Sequence, residues 1–182
     1  VQALTEPGSI PMLVMINNGN YLVPGEWDSP AALSAVIPAA GGVMNARALA
    51  GMYRAIVHDR RVGRFTIGPE DLAQMAAVQS AVTEDAVLSA PGRWTLGFMK
   101  GGWSPRGAHP EMVVALSEDA FGHTGNGGSI GFGDPRAAMS FGYVMNQMST
   151  AAGLGPTGQA LVDAVYRALG YQREKYAIWV RP

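Results

Sequence analysis

The sequence contains no cysteine, which excludes disulfides, thiolate zinc sites and a cysteine nucleophile. Charge is also sparse: Lys and Arg number 13, Asp and Glu number 14, and the formal net charge is −1. No basic stripe breaks this balance, so nucleic acid is not an expected partner. No apolar run reaches the roughly 18 residues that a spanning helix needs, so we expect no membrane span.

The composition indicates a folded protein with a substantial hydrophobic core. Of 182 residues, 48% are hydrophobic and 15% are charged, proportions typical of a folded chain rather than a disordered one. The three histidines, His58, His109 and His123, are far apart and form no His-Glu-x-x-His motif. We therefore expect no metal and no cofactor. The composition does not distinguish a cytoplasmic from an exported protein.

Local patterns predict helices first, then strands, then a last helix. Capping residues followed by apolar spacing of 3.6 residues predict helices over about 30–36, over 46–57, from 69 onward and over 156–169. Alternating or short apolar runs between turn residues predict strands at about 12–16, 94–99, 119–124, 128–133 and 139–147. The order predicts an α+β fold with an antiparallel sheet flanked by helices. Residues 1–92 are expected to be mainly helix and loop, and 93–182 to supply the sheet and the terminal helix.

Glycine is concentrated in one stretch, FGHTGNGGSIGFGD, which spans residues 121–134 and holds six glycines. Its segment from Gly127 to Gly131 spells G-x-S-x-G, the nucleophile elbow, which requires a strand, a sharp turn and then a helix. A strand pattern follows Ser129 instead, and all three histidines precede it, against the triad order of that fold. Ser129 is therefore not expected to be a nucleophile.

Two other interpretations of the stretch remain open on these residues. It is either a glycine-rich hairpin without a ligand, or a strand edge whose glycines let a substrate lie against exposed backbone N–H groups. Such N–H groups are what an oxyanion hole requires. The tryptophans Trp94, Trp103 and Trp179 are likewise interpreted first as core residues, with pocket lining as the alternative.

The run from 121 to 148, FGHTGNGGSIGFGDPRAAMSFGYVMNQM, resembles the penicillin-recognising serine hydrolases, above all the β-lactamase-related esterases close to class C β-lactamases. Members carry a K-T-G or H-T-G triplet on an edge strand, then a glycine-rich turn and a "GF-x-DP" hairpin. The segment IPAAGGVMNARALAGMYRAI, 37–56, is similar to the part of the family before its late helix. The similarity covers most of residues 30–170.

The resemblance implies acyl transfer through a serine ester, on a small-molecule ester or amide substrate. By position, His123 takes the lysine-or-histidine place of the triplet, Thr124 the hydroxyl place and Gly125 the place of close approach. Gly127 belongs to the same substrate-binding stretch. The backbone N–H of Asn126 would be the oxyanion donor.

The chain departs from the family in one respect that matters for function. In the family, a Ser-x-x-Lys motif supplies the nucleophile and a Tyr-x-Asn or Ser-x-Asn motif helps to move protons, but none of these motifs occurs here. We therefore expect a C-terminal part of such an enzyme, inactive alone, whose partner is an N-terminal segment carrying Ser-x-x-Lys. The alternative is a catalytically inactive β-lactamase-like binding or scaffold protein. Because histidine is mostly neutral at pH 7 whereas lysine is a permanent cation, His123 favours neutral esters.

Overall fold

Short helices form the smaller of the two units into which the chain divides, which comprises Val1–Val43 and Glu84–Ala90. They are α1 (Ile10–Met15), a 3-10 turn at Glu26–Asp28 and α2 (Pro30–Ser34). The structure is a computed structural model, and it describes residues 6–15, 25–102, 113–149, 153–174 and 178–182. No helix within these ranges is long and apolar enough to span a bilayer.

The strand predicted at 12–16 is wrong, because its residues up to Met15 lie in α1; residue 16 lies outside the described ranges. A short apolar run does not by itself distinguish strand from helix. The preceding Ser9 favours the helix, since its side chain accepts a hydrogen bond from the Met12 backbone N–H at 3.3 Å and so caps the first turn. The predicted helix after Ser29 is confirmed as α2 and is capped in the same way, because the Ser29 hydroxyl accepts from the Ala32 N–H at 3.1 Å.

The larger unit, Met44–Thr83 and Pro91–Pro182, contains three helices and ten strands among the described residues. The helices are α3 (Ala46–Val57), α4 (Pro69–Ala76) and α5 (Gly155–Ala168). The strands are β1 (Arg61–Val62), β2 (Phe65–Thr66), β3 (Ser80–Val82), β4 (Gly92–Trp94), β5 (Leu116–Ser117), β6 (Phe121–Thr124), β7 (Ile130–Asp134), β8 (Met139–Tyr143), β9 (Gln172–Arg173) and β10 (Ile178–Val180). This mixture of helices with small antiparallel sheets confirms the predicted α+β class.

The sheet that matters for function has the order β6-β7-β8, with both pairs antiparallel. On the edge of β6 that faces away from β7, Gly122 forms a bridge with Met99. Met99 forms a second bridge, with Trp94 of β4. Separately, β10 pairs with β5 in parallel and with β9 in antiparallel orientation.

Helix α3 lies against the β7–β8 face at positions where the strands have no side chain. A Cβ at Gly131 would stand 2.6 Å from Leu49 Cδ1 and from Tyr53 Cε2. At Gly142 it would stand 2.4 Å from the carbonyl oxygen of Ala46. Part of the glycine content of the 121–148 run is therefore explained by helix packing rather than by a ligand.

A buried polar network fixes the far end of β7. The Asp134 carboxylate is fully buried and accepts hydrogen bonds from the Ser117 hydroxyl at 2.5 Å and from the Tyr166 hydroxyl at 2.8 Å. Its other oxygen accepts from the Ala137 N–H at 2.8 Å. Burial raises the pKa of Tyr166, and the nearby Asp134 charge adds to that rise, so the phenol stays protonated and donates.

Aromatic rings stack around this network and form the core. The Tyr166 ring lies between Phe132, at 6.1 Å between centroids, and Trp179, at 5.6 Å. Trp179 is 2% exposed, so it is a core residue, as the first interpretation held. The adjacent Tyr171 is also buried, and its hydroxyl has no hydrogen-bond partner among the described residues.

Candidate functional site

The residues predicted to bind substrate lie together, at the end of β6 and in the turn that follows it. His123 and Thr124 are the last two residues of β6, and Gly125, Asn126 and Gly127 form the connection to β7. His123 and Asn126 are exposed, Thr124 and Gly125 are half-buried, and Gly127 is buried. The stretch therefore presents one imidazole and one loop residue to the surroundings.

The turn has a geometry that leaves one backbone N–H without a partner among the described residues. The Gly128 N–H donates to the Gly125 carbonyl at 3.2 Å, and the Gly125 N–H donates to the Ser129 carbonyl at 2.8 Å. Gly127, at the third position of the turn, has φ of 85°, which a type II turn demands and which favours glycine. Asn126 occupies the second position, and its N–H has no hydrogen-bond partner among the described residues.

The turn is also closely packed, which holds that donor in place. A Cβ at Gly125 would lie 2.2 Å from the Ser129 hydroxyl oxygen, and one at Gly127 would lie 2.7 Å from the end of the Met148 side chain. Gly127 is thus covered by Met148 and shapes the turn. Ser129 leads directly into β7 rather than into a helix, so the arrangement that a nucleophile elbow needs does not exist at this serine.

Among the described residues, the edge of β6 that faces away from β7 has no strand partner where the site begins. Gly122 exchanges two backbone hydrogen bonds with Met99, at 3.0 and 2.6 Å. Hydrogen-bonding direction alternates along a strand, so Thr124 directs its backbone groups to the same edge as Gly122. In the described part of the chain no strand is bridged to this edge beyond Gly122. An extended group of a ligand can therefore lie alongside Thr124 and Asn126.

Two aromatic residues support His123. The Trp94 ring lies beside the imidazole, with 5.6 Å between centroids and 37° between planes. Tyr53 of α3 lies beneath the strand, where burial raises its pKa to about 12 and a hydrogen bond from the His123 backbone N–H acts in the opposite direction. Trp94 was interpreted first as a core residue, whereas it is half-buried and contacts His123. The apolar spacing that predicted helix α3 contains no signal of the contact between Tyr53 and His123.

Two cations on the segments that Met99 connects to β6 are engaged in contacts of their own. The Arg93 guanidinium donates to both carboxylate oxygens of Glu118, at 3.0 and 2.5 Å, and to the Gly101 carbonyl at 3.1 Å. The Lys100 ammonium is buried and donates to the Glu118 backbone carbonyl. Burial lowers the pKa of Lys100, and the Glu118 charge opposes that effect. Trp103, the remaining tryptophan considered above, lies outside the described residues.

Comparison with known proteins identifies this architecture. The family model described as Beta-lactamase matches residues 12–165. Over 117 residues the chain is 34% identical to the Esterase/beta-lactamase LipL of Mycobacterium tuberculosis. The matched region covers 64% of this chain and 25% of LipL.

Solved structures agree with this assignment. EstA from Arthrobacter nitroguajacolicus Rue61a matches with a TM-score of 0.64 at 28% identity, over 80% of this chain and 37% of its own. A family VIII carboxylesterase matches with a TM-score of 0.53 at 33% identity, over 68% of this chain and 31% of its own. A penicillin-binding protein homologue from Caulobacter crescentus matches with a TM-score of 0.52 at 30% identity, over 68% and 31% respectively.

The matches therefore extend over most of this chain, which spans about a quarter of LipL and about a third of the solved structures. Because the family model covers well over half of the residues, the chain belongs to the Beta-lactamase family, that of the β-lactamase-related serine hydrolases.

Proposed function

We propose that this chain supplies one side of the active site of a serine hydrolase that cleaves carboxylic esters or amides through an acyl-serine intermediate. His123, Thr124 and Gly125 line the substrate, Gly127 holds the turn, and Asn126 donates its backbone N–H to the oxyanion. The observation that carries the proposal is that Asn126 is exposed and that its N–H, which has no hydrogen-bond partner among the described residues, belongs to a closely packed turn at the end of β6. A preorganised donor of this kind stabilises the charge that develops on the carbonyl oxygen.

The nucleophile in this proposal is a serine outside the 182 residues. Its hydroxyl oxygen bonds to the carbonyl carbon while its proton passes to a base. The negative carbonyl oxygen then faces Asn126, and collapse of the tetrahedral intermediate expels the protonated alcohol or amine. Water releases the acyl group by the same route. The absence of Ser-x-x-Lys and Tyr-x-Asn within the chain supports an N-terminal segment of the same enzyme as the partner that carries them.

The same absence favours a second candidate, a catalytically inactive binding or scaffold protein that keeps the sheet. Under that reading the unpaired edge of β6 binds an extended ligand without any chemical step. The two candidates differ in one observable, since only the hydrolase needs a reactive serine in the complete gene product.

Ester hydrolysis by the full-length gene product tests the proposal. We expect turnover of p-nitrophenyl butyrate by that protein, slower turnover of a chromogenic cephalosporin, and no turnover by the 182-residue chain alone. A full-length protein that hydrolyses neither substrate would favour the inactive scaffold. Turnover by the isolated chain would show that the nucleophile lies within it and would refute this division of the active site.

A further inference from the structure

Met148 lies across the turn that carries the proposed oxyanion donor. A Cβ at Gly127 would stand 2.7 Å from the Met148 Cε and 2.8 Å from its Cβ and Cγ, so the side chain covers the α-carbon of Gly127 along most of its length. The next residue is attached to the same turn, because the Ser149 N–H donates to the Gly127 carbonyl at 2.8 Å. The segment after β8 therefore holds Gly127 by an apolar contact and a hydrogen bond.

The same methionine is also open to solvent. Met148 is 61% exposed, against 43% for Met52 and 41% for Met44, the other two exposed methionines among the described residues. Gly127 beneath it is buried. Exposure makes a methionine thioether susceptible to oxidation, and the sulfoxide that forms is polar where the thioether was apolar. Met148 thus combines exposure to an oxidant with a contact that depends on an apolar side chain.

Oxidation at this position acts on the turn. Gly127 presents an α-carbon to the Met148 side chain, and a sulfoxide oxygen held against carbon would lose its hydrogen bonds to water. The oxidised side chain is therefore expected to leave Gly127 and to uncover it. A turn that loses its cover no longer fixes the Asn126 N–H, and an oxyanion donor is effective only from a preorganised position.

We propose that Met148 is an oxidation site that controls the oxyanion side of the active site, with a peroxide as the oxidant. One peroxide oxygen bonds to the Met148 sulfur, the O–O bond breaks, and the other oxygen leaves as water. The sulfur loses two electrons and the peroxide gains them. Met148 is a positioning residue, since it acts through Gly127. This inference rests on the proposed function, because the loss of activity follows from the role of Asn126.

Oxidation and its effect on the turn are measured independently of activity, in the full-length gene product treated with hydrogen peroxide. Peptide mapping by mass spectrometry is expected to show sulfoxide at Met148 at least as early as at Met52. Hydrogen exchange in the peptide 121–134 is expected to become faster, because the N–H groups of Gly125 and Gly128 close the turn. Methionine sulfoxide reductase is expected to reverse both changes.

Two results of these measurements would overturn the inference, whatever the enzyme does. The first is a Met148 that stays reduced while Met52 is oxidised. The second is an exchange rate in the peptide 121–134 that does not change although Met148 is fully oxidised.

The effect on activity is measured with matched variants, Met148→Leu and Met52→Leu. Leucine has about the volume of methionine and no sulfur. In the unchanged protein and in Met52→Leu, peroxide is expected to lower kcat for p-nitrophenyl butyrate by about 10- to 100-fold, because the donor is displaced rather than deleted. KM is expected to change little, since the donor acts in the transition state. In Met148→Leu, kcat after treatment is expected to equal kcat before it.

A Met148→Leu variant that loses activity as fast as the unchanged protein would overturn the control of the site by this residue. So would an unchanged protein that keeps its kcat with Met148 fully oxidised. A full-length protein without esterase activity before treatment would refute the proposed function instead, and the exchange measurement alone then decides whether Met148 controls the turn.

Discussion

Replacement of Asn126 by proline removes the one backbone group on which the proposed chemistry depends. Asn126 is the second residue of the Gly125–Gly128 turn, a position that proline favours. Its N–H makes no hydrogen bond among the described residues, and the bonds that close the turn belong to Gly125 and Gly128. The residue before it is glycine, which has no Cβ to clash with the proline ring. The substitution thus deletes the donor while the turn remains.

The magnitude follows from the role assigned to the N–H group. Loss of one oxyanion donor lowers kcat by about 10²–10³-fold, or about 2.7–4 kcal/mol of transition-state stabilisation. The stability of the fold is expected to hold or to rise by about 0.4–1 kcal/mol, since proline restricts the unfolded chain. Asn126→Ala keeps the N–H group and removes only an exposed side chain, so its kcat is expected to stay near that of the unchanged protein.

Steady-state hydrolysis of p-nitrophenyl butyrate by the full-length gene product measures the effect, with thermal unfolding of each variant as the control. A fall in kcat for the proline variant but not for the alanine variant, at equal melting temperature, is the expected result. A proline variant that keeps kcat within about threefold of the alanine variant would refute the assignment, because a lost oxyanion donor costs far more than that.

Three further predictions concern the fold around the site. Tyr166→Phe deletes a hydroxyl bonded within the buried network and is expected to lower the free energy of unfolding by about 1–3 kcal/mol. Tyr171→Phe removes a hydroxyl that has no partner among the described residues and is expected to leave the free energy of unfolding unchanged; urea titration compares the two variants. Gly142→Ala forces a Cβ against the α3 backbone and is expected to lower the free energy of unfolding by about 1–3 kcal/mol. Gly51→Ala adds a Cβ in open space on α3 and is expected to raise the free energy of unfolding by about 0.5–1 kcal/mol; equal shifts in melting temperature would contradict this. Burial acts to raise the pKa of Glu118, but the bonded guanidinium and the nearby ammonium together hold it below its usual value. This contribution to stability is present above about pH 4.3 and is lost as the pH falls through the folded-state pKa. Glu118→Gln is therefore expected to flatten the acid limb of a pH–stability curve, and an unchanged limb would count against it.

The sequence predicted the elements whose signals are local. Helix α3, predicted over 46–57, follows Asn45, whose side chain accepts a hydrogen bond from the Ala48 N–H at 2.9 Å, and apolar residues recur along it at helical spacing. Strands β7 and β8, predicted at 128–133 and 139–147, are joined at Asp134–Pro135, residue types that are typical of a turn. In helix α3 and in the β7–β8 hairpin, the local sequence preferences agree with the tertiary structure, so the local signals were sufficient to predict both elements.

Elements that depend on distant partners were not predicted. Strand β10 exists because it pairs with β5 about sixty residues earlier, through Trp179 and Ser117, and a segment of three residues carries no period of its own. The β1–β2 hairpin is local and was not predicted for a different reason. Its pairing of Arg61 with Thr66 is set by the short turn between the strands rather than by hydrophobic alternation.

The candidate site was also predicted where its signal is local and missed where it depends on distant contacts. The glycine-rich stretch 121–134 indicated the position of the site, and the positive φ of the turn explains why residue 127 is glycine. The sequence could not show that Gly131 and Gly142 serve helix packing instead, because that needs the position of α3. It also could not show the contact between the rings of Trp94 and His123, residues that are nearly thirty positions apart and lie on segments that Met99 bridges.

Covalent labelling tests most directly whether this strand serves a serine located elsewhere. The full-length gene product is treated with a fluorophosphonate probe, digested, and the modified peptide is identified by mass spectrometry. We expect one modified serine, within a Ser-x-x-Lys motif outside these 182 residues, and no labelling of the isolated chain. A modified serine inside the chain, Ser129 included, or a full-length protein that takes up no label, would contradict it.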